Sequence, residues 1–304
     1  MNTVVTGVTT IMQLSDLKSS RDDILKKHGK TQLSFQSDVE ILRCWIEKQP
    51  HLPRDQLQDE FLEIILIKNK YSIEKSKGKI ENYCTLKGLQ RYRYLSEIEI
   101  TVPSSEPQFY IPLPKLTDDH HRIIVLKIWD PEKWEIKGDV ASGFVIREIL
   151  ARFDYNDGEI FIFDWSECTP AILSKLRVNI LIDVVNIVFK AYSARIKKIH
   201  LINKIASTFF NWAKPFLPSK LVSRVQLHEN ISTVAEILPA KCLPKDYGGE
   251  LKTLHEFIKD FDSIYAEHME DLLQYVDTKS REEKRQGGSI MDEMQGTFKK
   301  LEID

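Results

Sequence analysis

The sequence predicts an α/β protein in which an all-helical segment precedes a mostly parallel sheet covered by helices. Up to about residue 95 only helical periodicity is present, whereas from Arg122 onward near-continuous apolar runs alternate with helical stretches, the grammar of a buried parallel sheet. The 304 residues, 42% hydrophobic and 29% charged, provide a real core and suggest roughly two domains at about 150 residues each.

Residues 1–36 are expected to be partly helical. Ser37 followed by Glu40 reads as a capping box that opens a helix with Val39, Leu42 and Ile46 on one face, closed by Pro50 and Pro53. A second stripe, Leu57, Phe61, Ile64 and Ile65, and a third helix from Ser72 through Ile80, Tyr83 and Leu86 complete a helical domain over 37–95. Four prolines between Leu95 and Thr117 read as a linker. Arg122 to Trp129 is a strand and Asp139 to Phe153 a helix, and Glu159 to Asp164 is a strand after the Asn156-Asp157-Gly158 turn. Thr169-Pro170 is a helix start, predicting one long helix to about Tyr192, and Arg195 to Ile202 is a third strand. Gly248-Gly249 permits a tight reversal before a helix from Leu251 to about Tyr275. Residues 266–304 are expected to finish that helix and run into a disordered tail from Thr278.

Composition and motifs exclude several classes. Cys44, Cys84, Cys168 and Cys242 lie too far apart for a CxxC pair, as expected of reduced thiols in the cytoplasm. Met1 to Leu14 lacks the pattern of a secretory signal, and the best apolar run, Asn179 to Phe189, is broken by Asp183. There is no GxGxxG, no GxxxxGK[ST] and no GxSxG, so phosphate cradles and the serine elbow are missing. His228-Glu229 and His255-Glu256 lack the second histidine of a zinc helix, and His120-His121 reads as an exposed turn. No catalytic residue, cofactor or metal is expected.

One local feature stands out against the net charge of -2. From Val184 to His228 there is no Asp or Glu, while Lys190, Arg195, Lys197, Lys198, Lys204, Lys214, Lys220 and Arg224 are interleaved with Phe209, Phe210, Trp212 and Phe216. The spacing of Phe209, Trp212 and Phe216 fits either a core stripe or an interfacial helix whose rings enter a lipid headgroup layer beside cations. Nucleic acid is not expected, because no RNP-like strand or zinc module accompanies the basic island.

Three runs carry a family resemblance: Arg195-Ile-Lys-Lys-Ile-His-Leu-Ile-Asn203, Lys214-Pro-Phe-Leu217 and Leu243-Pro-Lys-Asp-Tyr-Gly-Gly249. With Trp45 to Pro53 and Asp59 to Leu62 before them, they resemble the CRAL-TRIO lipid-binding family, especially its tocopherol-transfer and retinaldehyde-binding branch. The resemblance spans about Ser37 to Tyr265 and implies a lipid-binding domain over 96–265, a sheet flooring a hydrophobic cavity, and a mobile gate helix at about Ile205 to Leu217. It implies that Phe209, Phe210, Trp212 and Phe216 form the gate and membrane contact, and that Arg195, Lys197, Lys220 and Arg224 hold a phosphoinositide headgroup. Ile128, Phe144, Phe161, Phe163, Ile180 and Val184 would line a packed core or a ligand cavity, since both need the same residue types. The chain departs from the family at Glu63 to Ile67, where arginines are usual, at Asp164-Trp165-Ser166-Glu167, where Asp-Leu-x-Gly is usual, and at His121-Arg122-Ile123 in place of Gly-Arg-Pro. The expectation is a cytoplasmic, transiently membrane-associated monomer that binds and transfers one lipophilic ligand, a tocopherol, a retinoid or a similar isoprenoid, and releases it at phosphoinositide-containing membranes. The alternative is a phosphoinositide- or protein-binding scaffold with a closed pocket.

Overall fold

The computed structural model describes residues 12–18, 20–88 and 99–286. Helices α1 (Arg21–Lys27), α2 (Gln32–Glu47), α3 (Asp59–Lys68) and α4 (Ile73–Gly88) come first. Helix α2 begins before the predicted Ser37, because the Thr31 hydroxyl accepts from the Ser34 N–H at 3.2 Å and caps the helix further upstream.

The remaining elements are β1 (Gln108–Pro112), β2 (His121–Ile128), α5 (Ile136–Phe153), β3 (Gly158–Asp164), α6 (Val178–Lys190), β4 (Ile196–Ile202), α7 (Lys204–Ala213), α8 (Ser219–Val222), β5 (Val225–His228), α9 (Ser232–Ala235) and α10 (Leu254–Asp277). The five strands lie in the order β1-β2-β3-β4-β5, with β1 antiparallel to β2 and every other pair parallel.

Three expectations are corrected here. The proline-rich stretch read as a linker holds β1, an edge strand whose Pro112 sits at its end, where a missing N–H breaks no ladder. The single long helix expected to open at Thr169-Pro170 is two pieces: these residues start only a 3₁₀ turn, Pro170–Ser174, and α6 starts afresh at Val178. The tail expected to be disordered from Thr278 is ordered at its start: the Ser280 N–H donates to the Cys84 carbonyl at 3.0 Å, and the Arg281 N–H to that of His51 at 2.7 Å. The Arg285 guanidinium pairs with Glu81 and Glu282, while the remainder of the predicted tail lies outside the described residues.

No break separates the helical segment from the sheet layers. Phe35, Phe61, Ile65 and Tyr83 of α2, α3 and α4 share one apolar cluster with Phe144 of α5 and Ile187 of α6. The far side of the sheet, including Ile123, Val125 and Ile162, packs with Phe257, Phe261 and Ile264 of α10. Thr253 and Glu256 form the capping box that starts α10. Before it, Gly248 takes a left-handed φ of 74°, and a side chain on Gly249 would strike the Leu243 carbonyl, so both glycines serve the chain reversal.

Candidate functional site

The register of the sheet aligns apolar residues in two rows on one face. Ile124, Phe161, Ile199 and Val225 form one; Tyr110, Leu126, Phe163 and Leu201 form the other. Both rows floor a cavity of about 240 Å³. Helices α5 and α6 wall it, and α7 lies across it through Ala206, Phe209, Phe210 and Ala213. All six expected lining residues, Ile128, Phe144, Phe161, Phe163, Ile180 and Val184, are on this wall.

Burial distinguishes cavity from packed core. Phe163 and Leu201 belong to central strands, flanked on both sides by other strands, yet each is only partly buried. On α6 the apolar Ile180, Leu181, Val184, Val185 and Val188 are partly exposed, whereas the polar Asp183 and Asn186 are buried. An amphipathic helix laid on a filled core shows the opposite pattern; here the apolar stripe faces an open volume.

The expected gate residues divide into two pairs. Phe209 and Phe210 line the cavity, Phe209 stacking on Trp165 at 5.8 Å between ring centroids. Trp212 is 53% exposed and Phe216 54% exposed. Helix α7 starts beside Trp165, whose carbonyl accepts from the Asn203 amide at 2.7 Å, while the Asn203 side chain caps the Ile205 N–H at 3.0 Å. The departure at Trp165 therefore supplies both a cavity wall and a stacking partner for α7.

Because β4 and β5 are parallel, the α7–α8 crossover returns the chain from the C-terminal to the N-terminal end of the sheet. That end carries the expected headgroup residues: Arg195 precedes β4, Lys197 lies near its start, and Lys220 and Arg224 precede β5. Burial first, then Arg195, Lys27 and Arg224, lower the Lys197 pKa despite Asp157, which places these cations together. They are not equivalent. Arg195 pairs with Asp157, which also receives Lys27 at 2.8 Å and faces His28 at 3.2 Å, and the Lys197 stem covers Gly158.

Four polar side chains on the wall had no signal in the sequence reading. Tyr110 fell in the presumed linker, and Asp139 was read only as the start of a helix; Trp134 and Arg147 carried no motif. Arg147 donates to Glu159 at 2.6 Å, and Glu159 also receives Lys68 at 2.7 Å. Against the effect of burial, the two cations hold the Glu159 carboxyl down at about 2. Asp139 instead accepts from Tyr110 at 3.1 Å, and burial pushes its carboxyl up to about 6 although Trp134 and Tyr110 favour its charged form.

A carboxyl with a raised pKa stabilises the fold only while protonated. That contribution is complete below its ordinary 3.8 and lost as pH rises through about 6. Asp139→Asn should therefore gain about 1–3 kcal/mol over the wild type at pH 8 and little at pH 4. Urea denaturation of both proteins at the two pH values measures the difference.

Residues 114–249 match the CRAL/TRIO domain family. Clavesin-1 of Xenopus laevis is 31% identical over 98 residues, which make up 31% of this chain and 30% of that protein. Clavesin-2 of Mus musculus is 29% identical over 121 residues, 36% of this chain and 37% of that protein. The matched region thus spans about a third of the length of these curated relatives. The crystal structure of Sfh5 superposes with a TM-score of 0.47 at 11% identity, covering 84% of this chain and 98% of that one. Among the described residues, no helix is long and apolar enough to cross a membrane.

Proposed function

We propose that this chain, whose residues 114–249 match the CRAL/TRIO domain family, carries one lipophilic molecule in the cavity and releases it at anionic membranes. The observation that supports this reading most strongly is the partial exposure of Phe163 and Leu201 in the middle of the sheet. Apolar side chains facing a volume of about 240 Å³ need an apolar occupant. Burial contributes about 0.8 kcal/mol per CH₂, so a ligand of about twenty carbons, in the class of tocopherols, retinoids and similar isoprenoids, offsets the ~4–15 kcal/mol cost of association.

Release follows from the gate. Trp212 and Phe216 are exposed on the crossover from β4 to β5, which leads to the sheet end where Arg224 acts on Lys197, so aromatic rings and cations would meet a membrane on one stretch of chain. Each cation near an anionic surface contributes about 1 kcal/mol, and a phosphoinositide headgroup concentrates the opposite charge.

The test uses the full chain loaded with α-tocopherol and mixed with phosphatidylcholine vesicles, with or without a few mole per cent of phosphatidylinositol bisphosphate. One tocopherol per chain and faster release to the phosphoinositide vesicles are expected. Lys220→Ala/Arg224→Ala should remove about 2 kcal/mol of vesicle binding, roughly 30-fold, without changing uptake. Unaltered vesicle binding in that variant overturns the headgroup role. Failure to take up any lipophile, with no lipid extracted from the purified protein, overturns the carrier role in favour of a closed-pocket scaffold.

A further inference from the structure

Apart from Arg147 and the Trp165 indole, the cavity wall is apolar except at one corner, where Tyr110 of β1, Trp134 before α5 and Asp139 in the first turn of α5 meet. Tyr110 donates to Asp139 Oδ2 at 3.1 Å. Asp139 Oδ1 is buried and accepts no hydrogen bond. The indole Nε1 of Trp134, a residue 1% exposed, lies near enough to favour the charged carboxyl, yet it is buried without an acceptor in hydrogen-bonding geometry. An acceptor and a donor are therefore left unmet side by side, an arrangement that buried polar groups rarely keep without a partner to bind. The other charge on the wall, Arg147, is committed to Glu159, which Lys68 also holds. Ile136 and Val140, the flanking wall residues, offer nothing polar in compensation.

A hydroxyl is the smallest group that both donates and accepts. Resting on the carrier reading above, we propose that this corner selects lipophilic alcohols: the ligand O–H donates to the Asp139 carboxyl, and its oxygen accepts from the Trp134 indole. An ether or aldehyde of the same skeleton brings only acceptors and leaves Asp139 unmet. A carboxylic acid, once ionised, places a second negative charge against it.

The full chain is titrated with geranylgeraniol, its methyl ether, the corresponding aldehyde and the corresponding acid, read by quenching of tryptophan fluorescence. The alcohol is expected to bind ten- to a hundredfold tighter than the ether and the aldehyde, and the acid more weakly than either at pH 8. Asp139→Leu should bring the alcohol-to-ether ratio close to one. Asp139→Asn keeps an acceptor and should retain part of the ratio while improving binding of the acid. Tyr110→Phe, which keeps the ring in place, provides a second reading should Asp139→Leu not fold, and is expected to lower the ratio severalfold. Equal binding of alcohol and ether by the wild type, tighter binding of the acid, or an unchanged ratio in Asp139→Leu or Tyr110→Phe overturns the selectivity and leaves the carrier role standing. If none of the four probes binds, the carrier role falls as well.

Discussion

Replacing Glu148 with glutamine should destabilise the protein by about 3–5 kcal/mol, a large part of the ~5–15 kcal/mol that holds a typical domain together. Glu148 lies in the interior face of α5 and is reached by four donors: Lys87 Nζ at 2.6 Å, and the Tyr83 hydroxyl, the Tyr192 hydroxyl and Arg152 Nη1 at 2.5 Å each. All five side chains are buried. Lys87 donates further to the Tyr275 carbonyl of α10 at 2.6 Å, so one carboxylate ties α4, α5, the turn after α6 and α10. Burial alone would raise the Glu148 pKa; Lys87 and Arg152 outweigh it, and the carboxyl ends below its ordinary 4.5. The stability it contributes is thus complete above that ordinary value and lost as pH falls through the lower, folded one. Glutamine keeps the volume but leaves two buried cations uncompensated. Urea denaturation measures the loss, and Glu148→Leu/Lys87→Met should recover part of it by removing a cation together with its partner. Recovery of nothing, or a loss under 1 kcal/mol in Glu148→Gln, would show that the network adds little to stability.

The same network explains what sequence could and could not reveal. Strands β2, β3 and β4 were legible because each is a continuous apolar run, and the parallel sheet followed from their alternation with helices. Strand β5 was not legible, since four residues, Val225 to His228, offer too little pattern; β1 was hidden by Pro112 and its neighbouring prolines. Nothing in the sequence marked Lys68, Lys87, Arg147 and Glu148 as buried, because a buried ion pair has no local signature: Glu148 and Lys87 are 61 positions apart. At the site, residue type alone identified Phe161, Phe163 and Val184 as interior positions. Whether they enclose a void depends on how far α6 and α7 stand from the sheet, a distance set by packing across the whole layer. Asp139 and Trp134 carry the same limitation, as their unmet hydrogen bonds exist only once β1, α5 and the loop before it are assembled.

Leu201→Trp should reduce binding of lipophilic ligands more than a hundredfold while leaving the fold intact. Leu201 stands in the floor row with Tyr110, Leu126 and Phe163 and is only partly buried, so its side chain ends in the cavity. An indole there occupies a large share of about 240 Å³ and removes the apolar surface that a ligand would cover. In a packed core the same change costs about 1–3 kcal/mol through strain; in a cavity it fills space and gains contacts, so the melting temperature should hold or rise by a few degrees. The two readouts separate the possibilities. Lost binding with a retained or raised melting temperature is the expected pair of results, read by tryptophan-independent tocopherol extraction and by calorimetry. A fall in melting temperature of about 5 °C or more would mean that the sheet and α6 are already in close contact at Leu201, and unchanged tocopherol uptake would place the ligand elsewhere. Leu201→Ala completes the argument in the opposite direction: it deepens the floor, so uptake should persist, with preference moved toward bulkier ligands.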